Sequence, residues 1–121
     1  MLPPDEFDRI ATRALRRIPA RFRKLLQNVV LVVEREPPHP DLLGLYQGRP
    51  LTHRSVADSF APPDRITIYQ GPHERMARNL TELEQIVADT VWHEIAHYFG
   101  MDEATVRRAE RRRAMEDRTR R

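Results

Sequence analysis

The sequence predicts an α+β domain in which a small mixed sheet packs against one long helix. Three observations predict it. An amphipathic helical pattern opens the chain, three short strand-like runs follow, and a long helical stretch then ends in His93-Glu94-Ile95-Ala96-His97. Helices at the two ends of a run of strands, rather than alternating with them, mark the α+β class.

The first helix is expected over residues 5–17. Phe7, Ile10, Ala11, Ala14, Leu15 and Ile18 recur at helical spacing, with Pro4 as a start signal and Asp5 as the cap. A helical turn from Ala20 to Leu26 follows Pro19. Asn28 to Glu34 is apolar and β-branched and reads as a buried strand. Pro37-Pro38-His39-Pro40 opens a loop, and Gly44 to Gln47 reads as a short strand ending at Gly48. Residues 49–63, with three prolines, read as irregular. Arg65 to Tyr69 alternates as a half-buried strand, stopped by Gly71-Pro72. Asn79 or Thr81 caps the next helix, which runs to Phe99, and Thr81-Glu82-Leu83-Glu84 resembles a capping box. Asp102 caps a last helix that continues to about residue 117. No internal repeat is visible.

A chain of 121 residues is read as one domain, 1–121, with an arginine-rich helix or tail over about 104–121. Cysteine is absent, which excludes a disulfide framework and a thiolate metal site and is compatible with a reducing cytoplasm. The N-terminus has no basic and apolar run of the signal-peptide kind, so a cytoplasmic location is expected. The longest apolar run, Val29 to Val33, is far too short to cross a bilayer, so no membrane partner is expected. Net charge is +3, and residues 107–121 alone carry +5, leaving a nearly neutral body.

The chemistry lies in the H-E-x-x-H run. Helical positions i and i+4 sit about 40° apart on one face, so His93 and His97 can bind one zinc ion from the same side. Glu94 lies beside them, within reach of a water on that ion as general base. On a helical wheel, Ala88, Val91, Trp92, Ile95, Tyr98 and Phe99 form a core face opposite His93, Glu94 and His97. Gly100 stands where the helix must stop, in the left-handed conformation that glycine adopts cheaply. A turn there can bring a third ligand back over the histidines, and Glu103 occupies that slot. Asp102, the better cap, and Glu116, on a later helix, are the alternatives. Two histidines and a carboxylate leave an open fourth position for water, and the same ligand set also suits iron.

The run from Trp92 to Glu103 resembles the minimal zincin-like proteins of bacteria, a family of small zinc metallopeptidases. Leu45-Tyr46-Gln47-Gly48 and the strand from Asn28 to Glu34 support the resemblance, which covers most of residues 5–106. It implies a minimal zincin-like fold, one Zn²⁺ per chain held by His93, His97 and Glu103, and Glu94 as catalytic base acting on a peptide or protein substrate. It also implies that an edge strand pairs with extended substrate; Ile66 to Tyr69 is a candidate for that role and reads equally well as an ordinary sheet strand. The methionine turn of metzincins has no counterpart, because Met115 is the only methionine further on and it lies in the arginine-rich stretch. An oxyanion-stabilising donor is also needed, with Tyr69, His73 and Tyr98 as candidates. His39 and His53 fall in loops and are read as solvent-facing.

The arginines from Arg107 to Arg121 define a second function class, a metal-stabilised binding module whose basic tail engages an acidic partner or nucleic acid. The charge permits phosphate contact. No aromatic residue interleaves the arginines, so base reading has no support. Neither substrate sequence nor oligomeric state is legible.

Overall fold

The computed structural model describes residues 2–48 and 63–100, together with Arg108, Arg111 and Arg112. Its elements run α1 (Pro4–Arg16), α2 (Ala20–Arg23), β1 (Val29–Glu34), β2 (Gly44–Gln47), β3 (Asp64–Tyr69), α3 (Gln70–Met76) and α4 (Leu80–Tyr98). The expected last helix lies largely outside these residues; Arg108, Arg111 and Arg112 are helical and exposed. No helix among the described residues is long and apolar enough to cross a membrane.

The small mixed sheet is as expected. Its order is β1-β3-β2, with β1 parallel to β3 and β2 antiparallel. β3 is therefore the central strand, and both of its edges are already paired. Of the two readings of Ile66 to Tyr69, this pairing supports the ordinary sheet strand and corrects the edge strand open to substrate. Nor is β3 half-buried. Ile66, Thr67, Ile68 and Tyr69 are all buried, so both faces of this strand are covered.

One core joins sheet and helices. Phe7, Ile10, Ala11 and Ala14 of α1 meet Leu83, Val87, Ala88, Val91 and Ile95 of α4, with Ile66 and Ile68 beneath. Helix α1 starts at Pro4, with Pro3 in the cap position and its carbonyl accepting from Glu6 and Phe7. Asp5 thus lies in the first turn, where it favours the helix dipole, and is not the cap.

The strand stops before Gly71-Pro72 as expected, at Tyr69, and a helix not read from the sequence follows: both residues sit in the first turn of α3, where proline needs no N–H partner. The Gly71 N–H instead reaches the Arg35 carbonyl at 2.8 Å. Arg75 of α3 grips Glu36 through two nitrogens, at 2.7 and 3.0 Å. Asn79, not Thr81, caps α4: its Oδ1 accepts from the Glu82 N–H at 2.8 Å.

Candidate metal centre

Helix α4 carries the motif in its last two turns, and an aromatic cluster holds that end. The Phe22 ring meets Trp92 edge-on at 5.7 Å and Phe99 at 5.8 Å. Tyr98 packs against Phe99 at 5.2 Å and Tyr46 of β2 at 6.3 Å. Its hydroxyl accepts from the Gln27 N–H at 3.0 Å and lies 3.3 Å from the Gln27 carbonyl. This stitches the motif to the turn that enters β1. The helix then ends as expected. Gly100 has φ +78°, and its N–H bonds the His97 carbonyl at 2.9 Å.

His93 and His97 lie side by side, with ring centroids 4.9 Å apart and planes at 68°. Both are partly exposed. Two imidazoles at this separation on one helical face are nitrogen donors of the kind zinc takes. Among the described residues no third histidine or carboxylate joins them as a metal-binding group. Glu103, Asp102 and Glu116 lie outside the described residues, as does His53. The described part of the site is a two-imidazole half-site with Glu94 beside it.

Glu94 is the departure from the wheel. It is only 7% exposed, although it was expected on the face away from the core. The cause is β2. Its first residue, Gly44, lies against α4 so closely that a β-carbon there would stand 2.8 Å from Thr90 Cγ2 and 3.3 Å from Glu94 Cγ. The absence of a side chain at residue 44 brings the sheet onto the helix beside the motif. The face bearing Thr90 and Glu94 is therefore packed, and within the motif only His93 and His97 are open.

Thr90 is itself held from behind. Its hydroxyl lies 2.8 Å from Nε2 of His73 and 3.1 Å from the Ile86 carbonyl. His73 is completely buried, and its Nδ1 donates to the Tyr69 carbonyl at 2.6 Å. Burial pushes the imidazole below its ordinary pKa, against the opposing pull of the Tyr69 carbonyl. With Nδ1 carrying the proton, Nε2 of the neutral ring is left as an acceptor, and the single proton of the Thr90 hydroxyl is shared between it and the Ile86 carbonyl.

These contacts decide among the expected oxyanion donors. His73 has both nitrogens engaged within the core. The Tyr98 hydroxyl serves the backbone at residues 25–27. Tyr69 is buried on the central strand, where burial first and the Glu34 charge second push its phenol up. None of the three is among the described residues lining the cavity beside the motif.

That cavity has a volume of about 430 Å³. Ile86, Asp89, Thr90, His93 and Glu94 of α4 form one wall. Residues 41–44 and Met76 form the other. The α4 residues are spaced so that they fall within an arc of about 140° on the helix. Asp89 and Thr90 fall within this arc together with His93, so their place on the cavity wall was legible from spacing. Gly44 carried a weaker signal, a glycine inside a strand.

No curated protein matches the chain. A family model does, over residues 26–113, which takes in β1 through the motif helix and the arginines as far as Arg113. That match spans well over half the sequence and is described as zincin-like metallopeptidase. The chain, whose three-stranded mixed sheet lies against a helix ending in H-E-x-x-H, belongs to the zincin-like metallopeptidase family.

Proposed function

We propose that the protein is a zinc-dependent peptide hydrolase, with His93, His97 and Glu103 as metal ligands and Glu94 as general base. The observation that carries this reading is the placement of Glu94. It is a buried carboxylate at the wall of a cavity, next to two partly exposed imidazoles 4.9 Å apart. Family membership supports the same reaction class.

A zinc ion supplies Lewis acidity and lowers the pKa of a bound water to about 7. The Glu94 carboxylate accepts the proton that the attacking water gives up and returns it to the leaving amine nitrogen. Its burial beside Gly44 keeps the carboxylate in one orientation for both transfers. Substrate backbone pairs with β2, which is an edge strand among the described residues and opens directly onto the cavity through Gly44. Pairing through main-chain groups tolerates many sequences.

Glu94→Gln tests the reading. Peptide hydrolysis falls by about 100-fold or more, the usual contribution of a positioned base, while zinc content stays at one per chain. Undiminished hydrolysis in this variant removes Glu94 from the mechanism.

A further inference from the structure

We propose that Thr90 is a positioning residue for hydrolysis: held from behind by His73, it sets the gap between the strand that receives substrate and the carboxylate that takes the proton. The inference rests on the zinc-hydrolase reading, because that reading gives β2 and Glu94 their roles.

The register of β2 decides which of its groups substrate meets. The Tyr69 N–H donates to the Leu43 carbonyl at 3.0 Å, one step beyond the pair of Gly44 and Ile68. In an antiparallel ladder, pairs that exchange backbone bonds alternate with pairs that do not. Leu43, Leu45 and Gln47 therefore turn their backbone groups toward β3, and Gly44 and Tyr46 turn theirs to the outer edge. A substrate main chain on that edge docks on Gly44, the same residue that touches the helix carrying the base. Gly44, Thr90 and Glu94 also line one cavity.

Thr90 governs that contact. The Gly44 backbone rests on the Thr90 methyl and beside the Glu94 stem, as the 2.8 and 3.3 Å separations from a β-carbon on residue 44 show. Glu94 follows Thr90 by four residues, so both lie on one face of α4. Rotation about the Thr90 χ1 would carry the methyl away from Gly44, and the hydroxyl opposes it through His73 Nε2 at 2.8 Å and the Ile86 carbonyl at 3.1 Å. His73 is fixed in turn. Its Nδ1 donates to the carbonyl of Tyr69, whose N–H is the one that holds Leu43. The contacts close a circuit from Thr90 through His73, Tyr69, Leu43 and Gly44 back to Thr90. His73 is 0% exposed, so water does not compete for its bonds. Neither Thr90 nor His73 exchanges a proton with substrate in this scheme; both act through Gly44 and Glu94.

The test moves the methyl from one side of the contact to the other. Thr90→Ser keeps the hydroxyl and removes the methyl. Gly44→Ala collides with Thr90 Cγ2 in the wild type, but in the Thr90→Ser background its β-carbon fills the vacated space, with the Thr67 carbonyl and Glu94 Cγ needing to give by only a few tenths of an ångström. Full-length, zinc-loaded wild type, both single variants and the double variant are compared on one internally quenched peptide, chosen from a mixed-sequence pool by its cleavage by the wild type. In Thr90→Ser kcat falls about tenfold, within the roughly 100-fold that an ångström of misplacement costs, while KM stays within about twofold because the outward groups of Gly44 and Tyr46 remain. Gly44→Ala is slowed as well, and the double variant recovers kcat to within about threefold of the wild type. Where Glu94→Gln removes hydrolysis, an unchanged kcat in Thr90→Ser, a loss confined to KM, or a double variant no faster than the slower single one overturns the positioning role alone. A wild type that cleaves no peptide of the pool, or a Glu94→Gln variant that cleaves as well as the wild type, overturns the positioning role and the hydrolase reading together.

Discussion

Gly44 and Thr90 stand so close that a β-carbon on residue 44 would lie 2.8 Å from Thr90 Cγ2. Thr90 cannot easily swing away, because its hydroxyl is held by His73 Nε2 at 2.8 Å. The Thr67 carbonyl, at 3.2 Å from the same point, blocks retreat on the sheet side. This contact sets how near β2 comes to the motif helix, and with it the burial of Glu94.

Gly44→Ala therefore overpacks the junction. Such insertions cost about 1–3 kcal/mol. Thermal melting followed by circular dichroism shows a drop of roughly 4–15 °C for a domain of this size. Hydrolysis falls as well, because Glu94 shifts, whereas zinc uptake by His93 and His97 is retained. An unchanged melting temperature contradicts the close-contact account.

His73 makes stability depend on pH. Its folded pKa lies below the ordinary value of 6.5, with burial as the main cause. The unfolded chain then binds the proton more readily than the folded one. The contribution is fully present above about pH 6.5 and is lost as pH falls toward the depressed folded value. Melting temperatures measured from pH 7.5 to 5 decline, and the His73→Gln variant, although less stable throughout, shows a shallower decline. Parallel curves contradict the assignment.

Tyr98→Phe separates structure from chemistry. The substitution leaves the Gln27 N–H without its hydroxyl acceptor, at a cost of about 1–3 kcal/mol in urea unfolding. Hydrolysis by the folded fraction is unchanged, because the hydroxyl faces the turn before β1 and not the cavity. A specific loss of turnover at full stability contradicts this role.

The side-by-side placement of His93 and His97, the helix stop and the strand positions were legible because each is local. His93 and His97 need only helical spacing, and Gly100 needs only its own φ of +78°. What was not legible depends on partners distant in sequence. The angle of Glu94 on a helical wheel says nothing of β2, which covers it only because residue 44 lacks a side chain. Alternation over Arg65 to Tyr69 suggested one solvated face, but strand order, a long-range property, puts β3 in the centre and buries Thr67. Gly71-Pro72 does stop the strand, but nothing local announces the helix that begins there, held by the Arg35 carbonyl and the Glu36–Arg75 pair.

The third ligand is open to a direct comparison. Glu103→Ala, Asp102→Ala and Glu116→Ala differ in which carboxylate they remove. Zinc affinity measured by competition with a chelator falls for Glu103→Ala by more than the roughly 10–100-fold that loss of an outer partner costs. The other two variants stay within that range. A larger loss at either of the others reassigns the ligand.

Metal content tests the central claim most directly. Elemental mass spectrometry on protein purified without added metal and without a histidine-rich tag, for the wild type and for His97→Ala, gives a plain answer. The account predicts about one zinc per wild-type chain, as a single catalytic site requires, and loss of that zinc in the variant. Wild-type protein that carries no metal and takes up none on titration with zinc contradicts it.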